Sequence, residues 1–175
     1  MKALLFPLLL ILFLSCKKTD TIEEQLPPAT HTGAGTFGCR INGKVFVPKG
    51  YNGTGRANPH VIYDYDLQGR PFLSIEANRF KDRQIVGSIY LLFSDISSVG
   101  NFEIPSKLSY SVGWIDIIPG CGMGSLDTTV IANGLGVITN LNVNNRIISG
   151  TFNFNAIKLG CDTVYITDGR FDIKL

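Results

Sequence analysis

The 175-residue chain is long enough for one domain with a single core, and its 45% hydrophobic content excludes general disorder. Its 16 basic and 14 acidic residues are scattered along the sequence and leave a formal net charge of +2. This distribution excludes a nucleic-acid-binding protein and indicates no polybasic patch for a membrane surface. The 19 glycines, several of them after Asn or Asp, indicate numerous tight turns and an all-β protein.

The chain begins with one basic residue, Lys2, and then an apolar run from Ala3 to Leu14. A run of about a dozen residues is too short to span the roughly 30 Å hydrocarbon core of a bilayer and is typical of a secretory signal. Residues 1–15 are therefore predicted to be a signal peptide.

The signal ends in the sequence FLSC at residues 13–16, which resembles the lipobox of bacterial lipoproteins, although Phe13 stands where that motif favours leucine. The resemblance implies that Cys16 becomes the first mature residue and carries acyl chains such as palmitate, which anchor stably in pairs or threes. The alternative is cleavage elsewhere and release of a soluble protein. Lys17 differs from the Asp that retains some lipoproteins in the inner membrane, which favours the outer membrane, facing either the periplasm or the cell surface.

Residues 16–33 are predicted to be a flexible tether that carries the lipidated cysteine. They are polar, include Pro27 and Pro28, and show neither helical nor strand periodicity. Fully extended, residues 17–33 could span roughly 55 Å. His31 is predicted to be solvated in this tether, and the folded domain to occupy residues 34–175.

The first half of the domain predicts an antiparallel meander. Residues 36–41 and 44–48 alternate around Asn42-Gly43, which is the strongest short signal for a hairpin with a type I′ turn. A long loop over residues 49–59 follows, and further strands are predicted at residues 60–66, 72–77 and 84–93. The alternation places Phe37, Cys39 and Ile41 on one face of the first strand. In the last of these strands it gives the same parity to Ile85, Ile89, Leu91 and Phe93.

The second half continues the pattern. A short segment at residues 101–105 and a half-buried strand at 108–114 precede a glycine-rich turn at 118–125. That turn is followed by a β-branched run and not by the helix that a phosphate loop requires. The remaining strands alternate around Asn144-Asn145, with Ile148, Phe152, Phe154 and Ala156 inward, and around Asp168-Gly169, a predicted final hairpin with Phe171, Ile173 and Leu175 on one face.

About ten short strands and no helical periodicity predict a single antiparallel β-sandwich or an up-and-down, calycin-like barrel.

Four segments together resemble an uncharacterised family of bacterial outer-membrane lipoproteins, a domain of unknown function. They are LPPAT at residues 26–30, TFGC with NGK within 36–44, SGTFNF at 149–154 and ITDGRFD at 166–172. These segments cover both ends of the chain but not its middle. The resemblance implies a fold and a location, and it supplies no catalytic residue.

Three threonines lie in Asp-Thr triplets that resemble the O-glycosylation acceptor pattern of bacteria rich in such lipoproteins. They are Thr21, Thr128 and Thr163. The alternative is that Asp-Thr simply begins a strand.

With Cys16 acylated, three cysteines remain in an oxidising compartment, enough for one disulfide and one thiol. Cys121 and Cys161 lie beside glycines in turn-rich connections where the backbone can reach the required Cα separation, so we predict that they pair. Cys39 then stays a buried thiol; its pairing with either of the others is the alternative. The only histidines, His31 and His60, lie near no cysteine pair, and no metal or cofactor is predicted.

Four residues in and after the long loop are candidate ligand contacts, because aromatic rings with polar groups suit glycans, peptides or a partner protein. They are Tyr51, Arg56, Tyr63 and Tyr65. No nucleophile with an adjacent base is evident, so we predict no enzymatic activity; Asp64 and Glu76 on neighbouring strands are the one carboxylate pair that would support a hydrolase.

The sequence thus predicts a monomeric, membrane-anchored envelope lipoprotein that presents a β-rich binding or interaction module. A structural envelope component is the alternative.

Overall fold

A computed structural model describes residues 24–51, 53–104, 114–115 (backbone only) and 129–175. The signal peptide, Cys16, Thr21, Cys121, Thr128, the glycine-rich turn at residues 118–125 and most of the strand predicted at 108–114 lie outside these residues. No helix occurs in the described ranges, which are all-β.

The described strands form two antiparallel sheets. They are β1 (Thr36–Ile41), β2 (Lys44–Phe46), β3 (His60–Tyr65), β4 (Pro71–Lys81), β5 (Gln84–Ser94), β6 (Gly100–Ile104), β7 (Trp114–Ile115), β8 (Val130–Asn142), β9 (Ile147–Lys158) and β10 (Val164–Lys174). The larger sheet has the order β2-β1-β10-β9-β8-β6 and the smaller sheet β3-β4-β5-β7. The described strands close into no barrel, so the barrel alternative is wrong and the fold is sandwich-like.

The two sheets bury one shared core. Leu73, Ile75 and Phe93 of the smaller sheet belong to the same buried cluster as Phe152 and Phe171 of the larger one. The ring of Phe93 lies 6.2 Å from that of Phe171 between centroids, which fixes the contact between the sheets. Full burial of each such side chain contributes about 1.5–3 kcal/mol relative to exposure, so this core is the main source of stability.

Glycines make room for the core phenylalanines. Phe152 lies directly opposite Gly136 on β8 and Gly169 on β10. A Cβ on Gly169 would lie 2.5 Å from the Phe152 ring, and one on Gly136 would overlap the Phe93 ring of the other sheet. Because neither site can hold a side chain, the large rings pack over bare backbone on both neighbouring strands.

The first predicted hairpin is confirmed. Asn42 and Gly43 have φ angles of 48° and 80°, the left-handed values that a type I′ turn needs, and Cys39 pairs with Phe46 across the hairpin. The predicted inward residues of β1 and β9 are also buried, at 5% exposure or less.

The predicted final hairpin is wrong. β10 runs unbroken from Val164 to Lys174, and its pairing with β9 shifts between Ile166 and Gly169. Asp168 has a φ angle of 53°, so Asp168-Gly169 forms a bulge within one strand rather than a turn between two. An Asp-Gly pair tolerates positive φ both in a hairpin turn and in a β-bulge, so only the strand pairing shows which of the two it forms.

Ile85 does not lie on the buried face of β5, although it has the parity of the buried residues of that strand. Its side chain is 40% exposed, whereas Ile89, Leu91 and Phe93 of the same strand are buried. The register between β4 and β5 shifts between Arg79 and Phe80, opposite Gly87 and Ile85, so one extra residue on β5 breaks the alternation.

The described residues include no helix that is both long enough and apolar enough to cross a membrane.

The contact between Gly136 and Phe93 predicts a coupled pair of substitutions. Gly136→Ala should lower the free energy of unfolding by about 1–3 kcal/mol, because the added methyl overlaps the ring. Phe93→Leu removes the ring, so the double variant should be less destabilised than the sum of the single variants by about 1 kcal/mol. Urea unfolding followed by circular dichroism measures all three.

The control for this cycle is Asn133→Ala at an exposed position of the same strand, expected within about 0.5 kcal/mol of the wild type. Strict additivity of the two core substitutions would contradict the contact.

Candidate functional site

Residues 24–34, which we call the N-terminal strap, lie against the domain, although the sequence predicts a flexible tether up to residue 33. Pro27 and Leu26 contact Gly38 of β1 on the outer face of the larger sheet. His31 Nε2 lies 3.1 Å from Thr139 Oγ1 of β8. The strap therefore crosses the outer face of the larger sheet from β1 to β8.

The carboxylate of Asp172 holds the strap to β10. Thr30 Oγ1 donates to Asp172 Oδ2 at 2.6 Å, and the backbone N–H of Gly33 donates to Oδ1 at 2.8 Å. The N–H and hydroxyl groups of Thr32 and the N–H of Ala34 donate to Oδ2 as well. Ser149 Oγ of β9 adds a sixth bond at 2.8 Å.

Asp172 is charged in this position although it is only 1% exposed. Burial by itself would raise the pKa of Asp172, but the hydrogen bonds from Thr30, Ser149, Gly33 and Thr32 outweigh it and hold the pKa well below its usual range. The Asp172 carboxylate is thus the point at which the strap is attached, and its six hydrogen-bond donors offset the cost of burying its charge.

The start of the strap is held by the smaller sheet. Arg79 Nη2 of β4 donates to Glu24 Oε2 at 2.7 Å, and Lys49 Nζ lies 3.4 Å from Glu24 Oε1. The Arg79 guanidinium also lies over the Phe46 ring, 5.2 Å from its centroid. Lys49 joins β4 through its backbone, because the N–H of Phe80 donates to the Lys49 carbonyl at 2.8 Å.

The second half of the long loop is fixed by Asn58. Its Nδ2 donates to the Asn78 carbonyl at 2.7 Å, and the Asn78 N–H donates back to Asn58 Oδ1 at 3.0 Å. Asn78 Nδ2 donates to Glu76 Oε1, and Arg56 Nη1 lies 3.5 Å from Glu76 Oε2. These bonds position Pro59 and the start of β3.

His60, the first residue of β3, pairs with Glu76 across the strands. Desolvation, together with the nearby Arg56 charge, lowers the pKa of His60, and the Glu76 carboxylate only partly opposes this. The imidazole is therefore neutral at pH 7, where it can accept or donate a hydrogen bond.

Two shallow depressions flank the Asn58-Pro59 corner. One, of about 270 Å³, is lined by Gly35, Ala57, Asn58, Pro59, His60, Val61, Ile173 and Lys174. The other, of about 260 Å³, lies between the strap and the loop and is lined by Gln25, Pro27, Gly35, Thr36, Phe37, Val47, Pro48, Asn58 and Pro59. Both are slightly smaller than a typical small-molecule pocket of about 300–1,000 Å³.

The four predicted ligand contacts divide among three places. Tyr63 and Tyr65 meet edge-to-face on β3, 6.4 Å apart between ring centroids. Arg56 lies at the other end of β3 beside Glu76. Tyr51 is 58% exposed in the loop, and the adjacent Gly50 contacts Phe80 near the β4–β5 turn.

The predicted carboxylate pair is not brought together. Asp64 is opposite Phe72 and Glu76 is opposite His60, four residues farther along β3. At about 3.3 Å per residue the two lie roughly 13 Å apart along the strands, beyond the roughly 5–9.5 Å that separates the carboxyl groups of glycosidases.

The structure describes two of the four cysteines, Cys39 and Cys161. Cys39 is a buried free thiol whose pKa is raised by burial to about 12, partly offset by the Arg79 charge. Cys161 is not a free thiol. Its pairing with Cys121 stays a prediction, as does glycosylation of Thr163, which is half-buried just before β10.

Within the described part of the chain, no group of three or more His, Cys, Asp or Glu side chains could hold a metal ion.

The sequence indicated neither Asp172 nor Arg79 nor Glu24 as important. Asp172 alternates with Phe171 and Ile173 like any outward-facing acid, and its donors in the strap lie about 140 residues away in sequence. The one available signal is that Asp172 ends the ITDGRFD segment of the suspected family.

Comparisons with protein families, curated proteins and solved structures found no match to the chain. The candidate sites therefore rest on the geometry alone.

The Asp172 cluster predicts a pH-dependent contribution to stability. Asp172→Asn should lower the free energy of unfolding at pH 7 by about 2–4 kcal/mol. The two carboxylate oxygens of Asp172 accept six hydrogen bonds, whereas the asparagine amide has only one oxygen that can accept. The native pKa lies below the unfolded value of about 3.9, so the contribution is complete above pH 5 and is lost as the pH falls below about 4. Urea unfolding at pH 7, 4 and 3 measures it.

Asp168→Asn is the matched control, because that carboxylate is 54% exposed and forms only an ion pair with Arg40. It should cost less than about 1 kcal/mol. Equal losses for the two variants, or parallel pH curves for Asp172→Asn and the wild type, would refute the role of the cluster.

Proposed function

We propose that the chain is a lipid-anchored envelope protein, attached to the outer membrane through acylated Cys16, and that its β-sandwich is an interaction module. The anchor rests on the signal peptide pattern and the lipobox-like sequence before Cys16.

Edge strand β3 is the contact surface that the geometry supports best. β3 is the first strand in the order of the smaller sheet, and no described strand pairs with its free side. An exposed edge offers N–H and C=O groups to an extended segment of a partner. On β3 the Tyr65 N–H already donates to Asp64 Oδ1 at 2.8 Å, so the remaining edge groups would form the pairing. Ile62 and Tyr65 are 41% and 60% exposed on this strand, one on each face, and provide apolar anchors.

The depression of about 270 Å³ extends this surface toward the larger sheet. It adds the neutral imidazole of His60, the first residue of β3. Its small volume suits one side chain of a bound peptide better than a whole small molecule. The preferred partner is therefore an extended segment of an envelope protein.

Metabolic labelling tests the anchor. The wild-type chain expressed with its own signal should incorporate labelled palmitate and fractionate with membranes, because Cys16 is the only acceptor that the lipobox-like motif provides. Cys16→Ala should lose both the label and the membrane fractionation, while Cys39→Ala retains them. Equal label in the wild type and Cys16→Ala would disprove lipidation at this residue.

Partner capture tests the β3 surface. Full-length chain, solubilised in detergent, should recover a protein from envelope extracts, and Ile62→Lys/Tyr65→Ala should reduce the recovery at least about tenfold, because buried anchors at an interface each contribute about 1 kcal/mol or more.

The matched control is Ile131→Lys/Tyr165→Ala, which changes the same residue types at 44% and 57% exposure on the larger sheet. Recovery should match the wild type. Equal recovery by both double variants would exclude the β3 surface, and no recovery by the wild type would favour the structural alternative.

A further inference from the structure

The turn between β4 and β5 lies at the end of the smaller sheet to which the start of the strap is attached. Its residues Lys81, Asp82 and Arg83 are exposed, and Ile85 and Val86 just after the turn are 40% and 36% exposed. The long loop covers one side of this turn, because Gly50 contacts Phe80 and Gly53 lies near the Arg83 side chain. Tyr51 is therefore carried at the same end, which we call the hairpin tip (residues 49–51 and 79–86).

The hairpin tip gathers charges that are dispersed in the sequence. Lys49, Arg79, Lys81 and Arg83 are its basic residues, and Asp82 and the attached Glu24 are its acidic ones, so the net charge here is +2. Basic side chains around an exposed Tyr and two exposed aliphatic residues are the combination that favours the interface of an anionic bilayer.

The chain upstream of the strap places this end near the membrane. Only residues 17–23 separate Cys16 from Glu24, and Glu24 is held at the tip by Arg79 and Lys49. These eight Cα–Cα steps reach at most roughly 28 Å. A compact domain of about 150 residues has a radius of gyration near 15 Å, hence a diameter of about 40 Å, so the linker is too short for free reorientation.

We propose that the hairpin tip contacts the phosphate headgroups of anionic phospholipids and so orients the domain on the bilayer. The proposal rests on the lipidation of Cys16 in the proposed function. Lys81 and Arg83 meet the phosphates, since Lys49 and Arg79 are paired with Glu24. Tyr51, Ile85 and Val86 contact the boundary between headgroups and acyl chains. Acylation of Cys16 keeps the hairpin tip close to the bilayer. The small positive charge of the tip is then enough to orient the domain.

Photo-crosslinking of the full acylated chain tests the orientation. The protein, with acylation of Cys16 verified by peptide mass, is reconstituted into phosphatidylethanolamine vesicles containing phosphatidylglycerol. Benzoylphenylalanine at Ile85 should form lipid adducts at least about fivefold more than the same group at Leu67. Leu67 is fully exposed in the turn at the other end of β4, roughly 33 Å away along the strand.

A charge reversal tests the headgroup chemistry. Lys81→Glu/Arg83→Glu should lower the Ile85 adduct at least about tenfold, since each basic residue near an anionic surface changes the equilibrium about fivefold. Lys44→Glu/Arg146→Glu makes the same change in net charge at two exposed positions elsewhere and should leave the adduct unchanged. In vesicles of phosphatidylcholine alone, the Ile85 adduct of the unreversed protein should fall by the same factor as it does for Lys81→Glu/Arg83→Glu.

The outcomes separate the two proposals. Equal lipid adducts at Ile85 and Leu67 in acylated protein would overturn the orientation and leave the anchor intact. An Ile85 adduct that is insensitive to the tip reversal would overturn the assignment to anionic headgroups. Absence of acyl mass on Cys16 would overturn the proposed anchor and the orientation together.

Discussion

The attachment of the N-terminal strap depends on one buried carboxylate. Asp172 receives six hydrogen bonds, five from the strap and one from Ser149, and these compensate a charge that burial would otherwise disfavour. Charge-assisted bonds of this kind are roughly twice as strong as neutral ones. Because they come from four residues between Thr30 and Ala34, they fix the course of the strap backbone across β10.

The fixed strap limits how freely the domain could turn relative to an anchor at Cys16. A tether free up to residue 33 would allow the domain any orientation at its end. In the proposed lipoprotein, a strap held from Glu24 leaves only residues 17–23 between the domain and Cys16. The ion pairs of Glu24 with Arg79 and Lys49 are partly exposed and weak individually, so their contribution is to position Glu24 at one edge of the sandwich.

The sequence predicted local alternation well and tertiary attachment poorly. Period-two patterns identified the buried faces of β1 and β9, because a strand with one buried face must alternate. Ile85 and Asp168 escaped the pattern, since a single-residue bulge reverses the parity and an Asp-Gly pair suits a bulge as well as a turn. The roles of Asp172 and the tip charges could not be predicted from the alternation of residues, because their partners are brought together only by the fold.

The two proposed surfaces lie on the same sheet, which constrains how they could act together. β4 spans 11 residues between the turn that bears Leu67 and the hairpin tip, or roughly 33 Å. Tyr65 of β3 pairs with Pro71 at the far end of that strand. If the tip contacts headgroups, the apolar end of β3 points away from the bilayer and stays open to a partner. The rigid core of Phe93, Phe152 and Phe171 would hold both surfaces in that relation, so membrane contact and partner contact need not compete.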